Sequence, residues 1–297
     1  MSGTRFLDPA VLARIGNLEL LARTVVDGFI SGLHHSPYFG LSLDFAEHRP
    51  YLPGDDIRRV DWRVFGRTDR FYVKEFEADT NANFMVVLDV SSSMDYGSHT
   101  VTKLDYARYL AACLSYFSRR QRDRVGIVTF AEDVVDFVPS SARHLETVLH
   151  TIDRITPGGP GGWEAPLLKV TEGARRRSIL ALISDLYQEP ATVMRAVDRL
   201  RHRGHDLIVF HLLDPAELRF PFDEAAPFED AETGERIPVV PETLREEYRA
   251  QMDAHLGAIE RRMKRSGVDY YLIETSTPLD HALFAYLTRR ERLSRVR

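Results

Sequence analysis

From residue 83 onward, short apolar runs alternate with longer segments of helical periodicity, and this alternation constrains the fold more than any other feature. The runs predict strands at residues 84–90, 124–130, 134–138, 178–184, 206–213 and 268–274. Between them, apolar spacing predicts helices at residues 104–119, 142–155, 165–175, 191–202, 242–264 and 278–292. Such alternation forms βαβ units and a mainly parallel sheet. Because the strands are almost continuously apolar, we expect helices on both faces of the sheet.

The first 80 residues follow a different pattern. Apolar residues spaced by three and four predict one helix at residues 9–33, and residues 34–80 mix aromatic side chains with both signs of charge around a short strand at 71–76. We therefore predict an N-terminal part at 1–80 that packs on an α/β domain at 81–297. That domain has an acidic insertion at about 218–241, with a hairpin around Thr233-Gly234.

The composition argues against several classes of function. The 297 residues are 44% hydrophobic and 28% charged, which is typical of a globular protein with a sizeable core. A formal net charge of −5 gives no positive surplus for binding nucleic acid or an anionic membrane. Residues 1–12 lack the apolar stretch of a signal peptide, and the longest apolar runs are far shorter than the ~20 residues of a membrane-spanning helix. We expect a cytoplasmic protein without membrane insertion.

Cys113 is the only cysteine, so an internal disulfide and a cysteine metal cluster are excluded. It lies among apolar residues at helical spacing, which predicts a buried helix position.

Polar residues follow two of the predicted strands. Asp89, Ser91 and Ser93 come after the first strand of the alternating region, and Asp185 follows the strand at 178–184. Open α/β sheets bind ligands outside the carboxyl ends of their strands. Two carboxylates with two hydroxyls form an all-oxygen set that suits Mg²⁺. Alternatively, these residues are helix caps and turn formers.

Two resemblances cover nearly the whole chain. Asp89-x-Ser91-x-Ser93 resembles the metal-ion-dependent adhesion site of von Willebrand factor A domains, and Asp185 matches its second acidic position. The segments FAEHRPYLPGDDIRRVDWR (45–63) and TDRFYVKEFE (68–77) resemble the signature of the DUF58 family. The resemblance implies an α/β, von Willebrand factor A-like (Rossmann-like) fold, in which these four residues hold Mg²⁺ and a partner's carboxylate completes the coordination. An N-terminal helix and a β-rich DUF58 segment would precede it.

One position departs from that family pattern. A threonine that supplies a further hydroxyl is expected after the glycine-rich turn at 157–162, but Trp163 and Glu164 stand there. Tryptophan offers no oxygen ligand, and its bulk is able to close the site. Glu164 either supplies a carboxylate to the metal or begins the next helix, where an acidic residue is favoured. The alternative to a metal site is therefore a degenerate site in a metal-free adaptor.

The sequence does not favour an enzyme. Ser91 or Ser93 would need a general base to act as a nucleophile, and no histidine lies in a recognisable hydrolase motif. A Gly-x-Ser-x-Gly elbow and a P-loop are both absent. We expect a non-catalytic protein, with a metal-dependent hydrolase using Asp89 and Asp185 as a further alternative.

The DUF58 resemblance also implies a partner, since proteins of this family are similar to components that work beside MoxR-type AAA+ ATPases. We expect such an ATPase and a client protein as partners, in assembly or maturation of that client. Arg58, Arg59 and Arg63 either dock the partner or brace the segment through ion pairs, and Trp62 is expected to anchor it.

Overall fold

The computed structural model describes residues 8–34, 47–51, 60, 62–75, 82–173 and 177–295. The chain divides into two compact units, of which Asp27–Thr80 is one, and Met1–Val26 with Asn81–Arg297 is the other.

The helices and strands of the described residues are numbered in chain order. The helices are α1 (Pro9–Leu12), α2 (Leu18–His34), α3 (Trp62–Thr68), α4 (Lys103–Arg120), α5 (Leu145–Asp153), α6 (Glu164–Gly173), α7 (Pro190–His202), α8 (Pro215–Arg219), α9 (Pro241–Arg265) and α10 (Leu279–Arg295). The strands are β1 (Glu47–Pro50), β2 (Tyr72–Glu75), β3 (Asn83–Asp89), β4 (Arg124–Phe130), β5 (Val134–Ser141), β6 (Ser178–Ser184), β7 (Asp206–Leu213), β8 (Ala226–Glu229), β9 (Arg236–Val239) and β10 (Asp269–Glu274).

A six-stranded sheet forms the centre of the larger unit, in the order β10-β7-β6-β3-β4-β5. Neighbouring strands are parallel except β4 and β5, which pair antiparallel. Counted along the chain, this is the order 3-2-1-4-5-6 of a doubly wound, Rossmann-like sheet. The predicted α/β class with a mainly parallel sheet is confirmed, as is the hairpin between the strands predicted at 124–130 and 134–138.

Helices pack on the sheet in two groups. Helix α4 contacts β3, β4, β6 and β7 and packs against α5 and α10, whereas α7 packs against α6 and α9. Side chains of the second group share a buried cluster with the sheet, for example Leu167, Val197 and Ile259 with Val87 and Leu182. The strands β3, β4 and β6 are buried over almost their whole length. Burial on this scale drives the folding of such a sheet.

The helix predicted at residues 9–33 is wrong as a single element, because the chain forms α1 and α2 with a break between them. Asn17 Oδ1 accepts a hydrogen bond from the Leu20 backbone N–H at 2.8 Å, which caps the start of α2. The apolar stripe does not reveal this break, because Leu12, Leu21 and Val25 are all buried despite it.

In the smaller unit, β1 and β2 pair antiparallel, and β2 confirms the strand predicted at 71–76. Helix α3 was not predicted. Phe65 and Phe71 stack with ring centroids 4.4 Å apart, and Trp62 meets both rings edge-on while staying 56% exposed. Aromatic pairs of this kind stabilise a small unit beyond the area that they bury.

The insertion in the larger unit contains an antiparallel hairpin, β8–β9, whose turn includes Thr233 and Gly234. Gly234 has a φ of +72°, which glycine adopts without strain. No helix of the described residues is long and apolar enough to cross a membrane.

Candidate functional site

The candidate site lies where the strand order of the large sheet reverses, between β3 and β6. Strand β3 leads to its neighbour β4 on one side, while the chain returns to β6 on the other side. Asp89 ends β3 and Asp185 directly follows β6, so both carboxylates leave the same edge of the sheet. Reversal points of this kind are where open α/β sheets bind ligands.

The Asp89 carboxylate is buried and held from two sides. Its Oδ1 accepts a hydrogen bond from the Ser91 backbone N–H at 3.0 Å, and its Oδ2 accepts one from Ser184 Oγ at 2.6 Å. Burial, and then repulsion by Asp185, raise the pKa of Asp89 to about 6. Two carboxylates in one buried place favour binding of a cation, which relieves their repulsion.

Ser91 and Ser93 bring their hydroxyls together beside Asp89. The two Oγ atoms lie 3.1 Å apart, at the start of a 3₁₀ turn formed by Ser92–Asp95. The loop at 157–162 fixes this turn, since the backbone N–H and the Oγ of Ser92 both donate to the Gly159 carbonyl. The structure thus brings the four predicted residues Asp89, Ser91, Ser93 and Asp185 to one edge of the sheet, and we call them the Asp89–Asp185 site.

Lys103 adds a positive charge to this site. It is fully buried at the start of α4, and its Nζ donates to Asp185 Oδ2 at 2.8 Å and to Glu217 Oε1 at 2.6 Å. The ammonium also lies 4.9 Å from the centre of the Tyr187 ring. Burial lowers the pKa of Lys103, but the attraction of Asp185 and Glu217 outweighs it and raises the pKa above its ordinary value. The lysine is therefore charged and orients Asp185.

A fourth carboxylate, that of Glu232, reaches the site from the insertion. An added Cβ at Gly161 would lie 2.8 Å from Glu232 Oε1 and 3.4 Å from Ser91 Cβ, so the Glu232 side chain ends close to both residues. A hydrogen bond from the Gly161 backbone to Glu232 lowers the pKa of this carboxyl, but burial has the larger effect and raises it. Glu232 is half-buried, whereas Ala231 and Thr233 beside it are exposed.

Trp163 and Glu164 make contacts with other groups. Trp163 is buried in the hydrophobic core, with its ring edge-on to Phe130 at 6.0 Å. Glu164 is the first residue of α6 and accepts a hydrogen bond from Arg195 Nε at 2.8 Å, which lowers its pKa. The structure thus pairs Glu164 with a surface arginine, and Trp163 contributes to core packing.

The residues of the site fit a hard divalent cation with several waters. Two hydroxyls and two carboxylates form an oxygen-only set, which is the donor chemistry of Mg²⁺. Among the described residues, no three His, Cys, Asp or Glu side chains group closely enough to hold a metal by themselves. A cation here would depend on the serine hydroxyls and on water.

Three arginines and Cys113 are the other residues singled out by the sequence. Arg58 and Arg59 fall outside the described residues, and Arg63 belongs to α3 but its side chain is outside them. Cys113 is fully buried in α4, and burial raises the pKa of its thiol, so the thiol is unreactive.

Sequence reasoning missed Ser184, Lys103, Glu217 and Glu232. Glu217 carries a local signal, because its spacing from Asp214 is that of a capping box, in which Glu217 Oε2 accepts from the Asp214 backbone N–H. Ser184 carries a signal as well, because it ends a predicted strand and directly precedes Asp185. Lys103 and Glu232 reach the site from elements distant in sequence, and nothing in their local sequence distinguishes them from surface residues.

One comparison with known proteins identifies the family, and another finds relatives. The sequence profile of the family described as “Protein of unknown function DUF58” matches residues 47–257. Uncharacterized proteins of Mycobacterium tuberculosis and Mycobacterium bovis are 29% identical to this chain over 275 residues, which cover 90% of this chain and 86% of theirs.

Two solved structures match this chain at low sequence identity. The conserved hypothetical protein BatB from Bacteroides thetaiotaomicron is 16% identical with a TM-score of 0.48, and the match covers 71% of this chain and 99% of that protein. An aerotolerance-related membrane protein from Bacteroides fragilis is 17% identical with a TM-score of 0.49, over 68% of this chain and 96% of that protein.

Proposed function

We propose that this chain, which belongs to the DUF58 family, is a non-catalytic protein–protein interaction module with a von Willebrand factor A-like core. The observation that carries the proposal is the convergence of Asp89, Ser91, Ser93 and Asp185 at the point where the strand order reverses. An oxygen-only site at such a point suits a divalent cation and a ligand bound through it.

In this proposal the four residues hold Mg²⁺, and the ion offers a free coordination position to a carboxylate of the partner. The chain's own residues prepare the site. Ser184 and the Ser91 backbone N–H orient Asp89, while Lys103 fixes Asp185. Because these supporting groups are held before any ligand binds, little ordering entropy is lost on binding.

We further propose that the partner is a MoxR-type AAA+ ATPase, which acts with this chain on a client protein during assembly or maturation. The family resemblance supports this partner. ATP hydrolysis would belong to the ATPase, because the described site is not built around a nucleotide-binding loop. The proposal includes a cytoplasmic location, where such an ATPase has access to ATP.

Calorimetric titration with Mg²⁺ and Mn²⁺ tests the site. We expect saturable binding to the wild type and none to Asp89→Ala. Glu164→Gln serves as a matched control, because it removes a carboxylate that is paired with Arg195 on the surface, and we expect it to bind as the wild type does. Absence of binding to the folded wild type would contradict the metal-dependent form of the proposal.

Capture of the purified MoxR-type ATPase from the same organism tests the partner. We expect capture in the presence of Mg²⁺, loss of capture with EDTA, and loss with Asp89→Ala. If the wild type captures no ATPase either with Mg²⁺ or with EDTA, this partner is ruled out. Turnover of phosphate or ester substrates that disappears in Asp89→Ala would instead favour the metal-dependent hydrolase.

A metal-free adaptor is the second candidate, and Lys103 is the observation that favours it. The Lys103 ammonium already donates to Asp185 Oδ2 at 2.8 Å and so supplies positive charge where an ion would otherwise act. This candidate predicts that capture of the ATPase persists in EDTA, in a protein that gives no heat with Mg²⁺. Capture that requires Mg²⁺ would contradict it.

A further inference from the structure

The β8–β9 hairpin has a tip that is organised by its own contacts. Asp230 Oδ1 accepts hydrogen bonds from the backbone N–H groups of Glu232 at 2.8 Å and Thr233 at 3.0 Å, and the Asp230 carbonyl accepts one from Gly234. Across the strands, Arg236 Nε donates to Glu229 at 2.8 Å. The tip therefore presents Glu232 in a defined direction, with little local freedom to lose.

The base of the hairpin is anchored by aromatic rings. Phe228 of β8 packs against Phe220 and Phe222, with ring centroids 5.7 Å and 4.9 Å away, and Phe220 lies 4.6 Å from the Tyr248 ring of α9. The Tyr248 hydroxyl donates to the Glu217 carbonyl at 2.9 Å, and Glu217 is the residue that binds Lys103. The hairpin is thus fixed at its base beside the Asp89–Asp185 site.

The tip lies over the same site. Glu232 Oε1 comes so close to Gly161 that a Cβ there would be 2.8 Å away, and the same point lies 3.6 Å from Ser91 Oγ. Only a residue without a side chain at position 161 permits this approach. Ser91 is 1% exposed. The Glu232 carboxylate and the Ser91 hydroxyl therefore both lie near the same point beside Gly161.

We propose that the β8–β9 hairpin is a lid on the Asp89–Asp185 site, held closed by Glu232. The Glu232 carboxylate lies beside Ser91 and Gly161, where the carboxylate of a partner would enter, so the partner and the lid compete for one position. This inference rests on the proposed binding function of the site. It assigns the insertion a regulatory role, since binding then requires the hairpin tip to leave.

Thiol labelling at the site measures whether Glu232 keeps the lid closed. Ser91→Cys places a thiol under the tip, and the native Cys113 gives no background because it is fully buried. The rate of reaction with iodoacetamide, a neutral reagent, is compared in Ser91→Cys alone and combined with Glu232→Ala or Gly161→Ala. The first change removes the carboxylate, and the second displaces it by the added Cβ while keeping its charge.

We expect both combined variants to react about fivefold faster or more, because labelling of a covered thiol follows the population of the open state. Glu235→Ala is the matched control, as it removes an exposed carboxylate from the same turn, and it should leave the rate unchanged. Equal rates in all four proteins would overturn the proposal. A faster rate in Glu232→Ala but not in Gly161→Ala would also overturn it, since charge alone would then explain the result.

Hydrogen exchange of the chain with native Ser91 provides a second measurement that does not depend on the cysteine variant. The hairpin amides should exchange faster in Glu232→Ala and Gly161→Ala than in the wild type, and unchanged exchange would overturn the proposal. Both measurements are made without metal. Failure of the Mg²⁺ titration would thus remove the metal from the proposed function, whereas failure here would remove only the lid.

Discussion

At the scale of single residues, the buried Lys103 is expected to stabilise the fold through two ion pairs. Its ammonium is fully buried between Asp185 and Glu217, so Lys103→Met would leave two buried carboxylates without their cation. Breaking a buried pair in this way costs about 3–5 kcal/mol of unfolding free energy. We expect a loss of that size in urea unfolding, with much of it recovered when Asp185→Asn and Glu217→Gln are added to the variant.

The exposed pair of Lys169 and Asp133 is the control for this substitution. Its partners are 55% and 60% exposed, so Lys169→Met should cost less than about 1 kcal/mol. A Lys103→Met variant no less stable than Lys169→Met would show that the buried network does not stabilise the fold.

The buried His205 is expected to make the stability of the fold depend on pH. Its Nδ1 accepts a hydrogen bond from the Ser178 backbone N–H at 3.2 Å, so this nitrogen carries no proton in the fold. Burial, then repulsion by Arg203, lower the pKa of His205 below its ordinary 6.5. The unfolded chain therefore takes up the proton first, and the contribution of His205 to stability is present above pH 6.5 and lost as the pH falls below it.

Urea unfolding at pH 7.5 and 5.5 checks this. One proton changes the free energy of unfolding by at most about 1.4 kcal/mol per pH unit. We expect His205→Gln to lose less stability between the two values than the wild type. The variant of the exposed His150, His150→Gln, should follow the wild type. Identical pH dependence in all three proteins would contradict the assignment.

At the scale of elements, the start of α4 sets the position of Lys103. Thr102 Oγ1 accepts from the Asp105 backbone N–H at 3.1 Å, and the Asp105 side chain accepts from Thr102 in return, which forms a capping box. Thr102→Ala should cost about 1 kcal/mol of unfolding free energy, while Thr102→Ser should keep most of it. Equal stability of the two variants would mean that the hydroxyl does not cap the helix.

The antiparallel edge of the sheet depends on one glycine. A Cβ at Gly126 would lie 2.6 Å from the Val138 carbonyl oxygen and 2.7 Å from the Ser140 nitrogen, where the register of β4 and β5 shifts. Since both neighbours are backbone atoms, we expect Gly126→Ala to destabilise by about 1–3 kcal/mol in urea unfolding.

Gly28 of α2 provides the opposite case, because nothing lies within 4 Å of an added Cβ there. Gly28→Ala should therefore stabilise the chain by about 0.5–1 kcal/mol, as helix propensity alone requires. A destabilised Gly28→Ala together with an unaffected Gly126→Ala would contradict the packing described for both positions.

At the scale of the whole molecule, binding at one sheet edge should stabilise the larger unit as a whole. At 100 times its Kd, a ligand that binds only the folded state adds about 2.7 kcal/mol. For a chain of 297 residues, that corresponds to a rise in Tm of roughly 4–5 °C with Mg²⁺. Asp89→Asn should show no rise, because it lacks one of the two carboxylates, and an equal rise in this variant would contradict the site.

Without metal, Asp89→Asn should be at least as stable as the wild type above pH 6. The substitution removes a buried charge that Asp185 repels, and the amide oxygen remains able to accept one of the two hydrogen bonds. A stable variant that fails to respond to Mg²⁺ would separate loss of binding from loss of folding.

The sequence by itself determined the class of the fold and the strand ends that form the site. Alternating apolar runs depend only on neighbouring residues, so the strands Arg124–Phe130, Ser178–Ser184 and Asp206–Leu213 appear where the pattern predicts them. The same locality placed Asp89 and Asp185 after parallel strands. The apolar pattern gave a wrong prediction at residues 9–33, because one apolar stripe continues through the break at which Asn17 caps α2.

Only the tertiary structure decided what surrounds those carboxylates. Lys103 and Glu232 come from a helix and a hairpin that are distant in the chain from both carboxylates, and their local sequences carry no sign of where they meet. The buried lysine beside Asp185, and the hairpin tip beside Ser91, follow from the order of the strands and the packing of the insertion. The periodicity of apolar residues indicates which face of a helix or strand is buried. Which charged groups meet depends on how the elements pack in three dimensions, and residues far apart in the sequence can meet there.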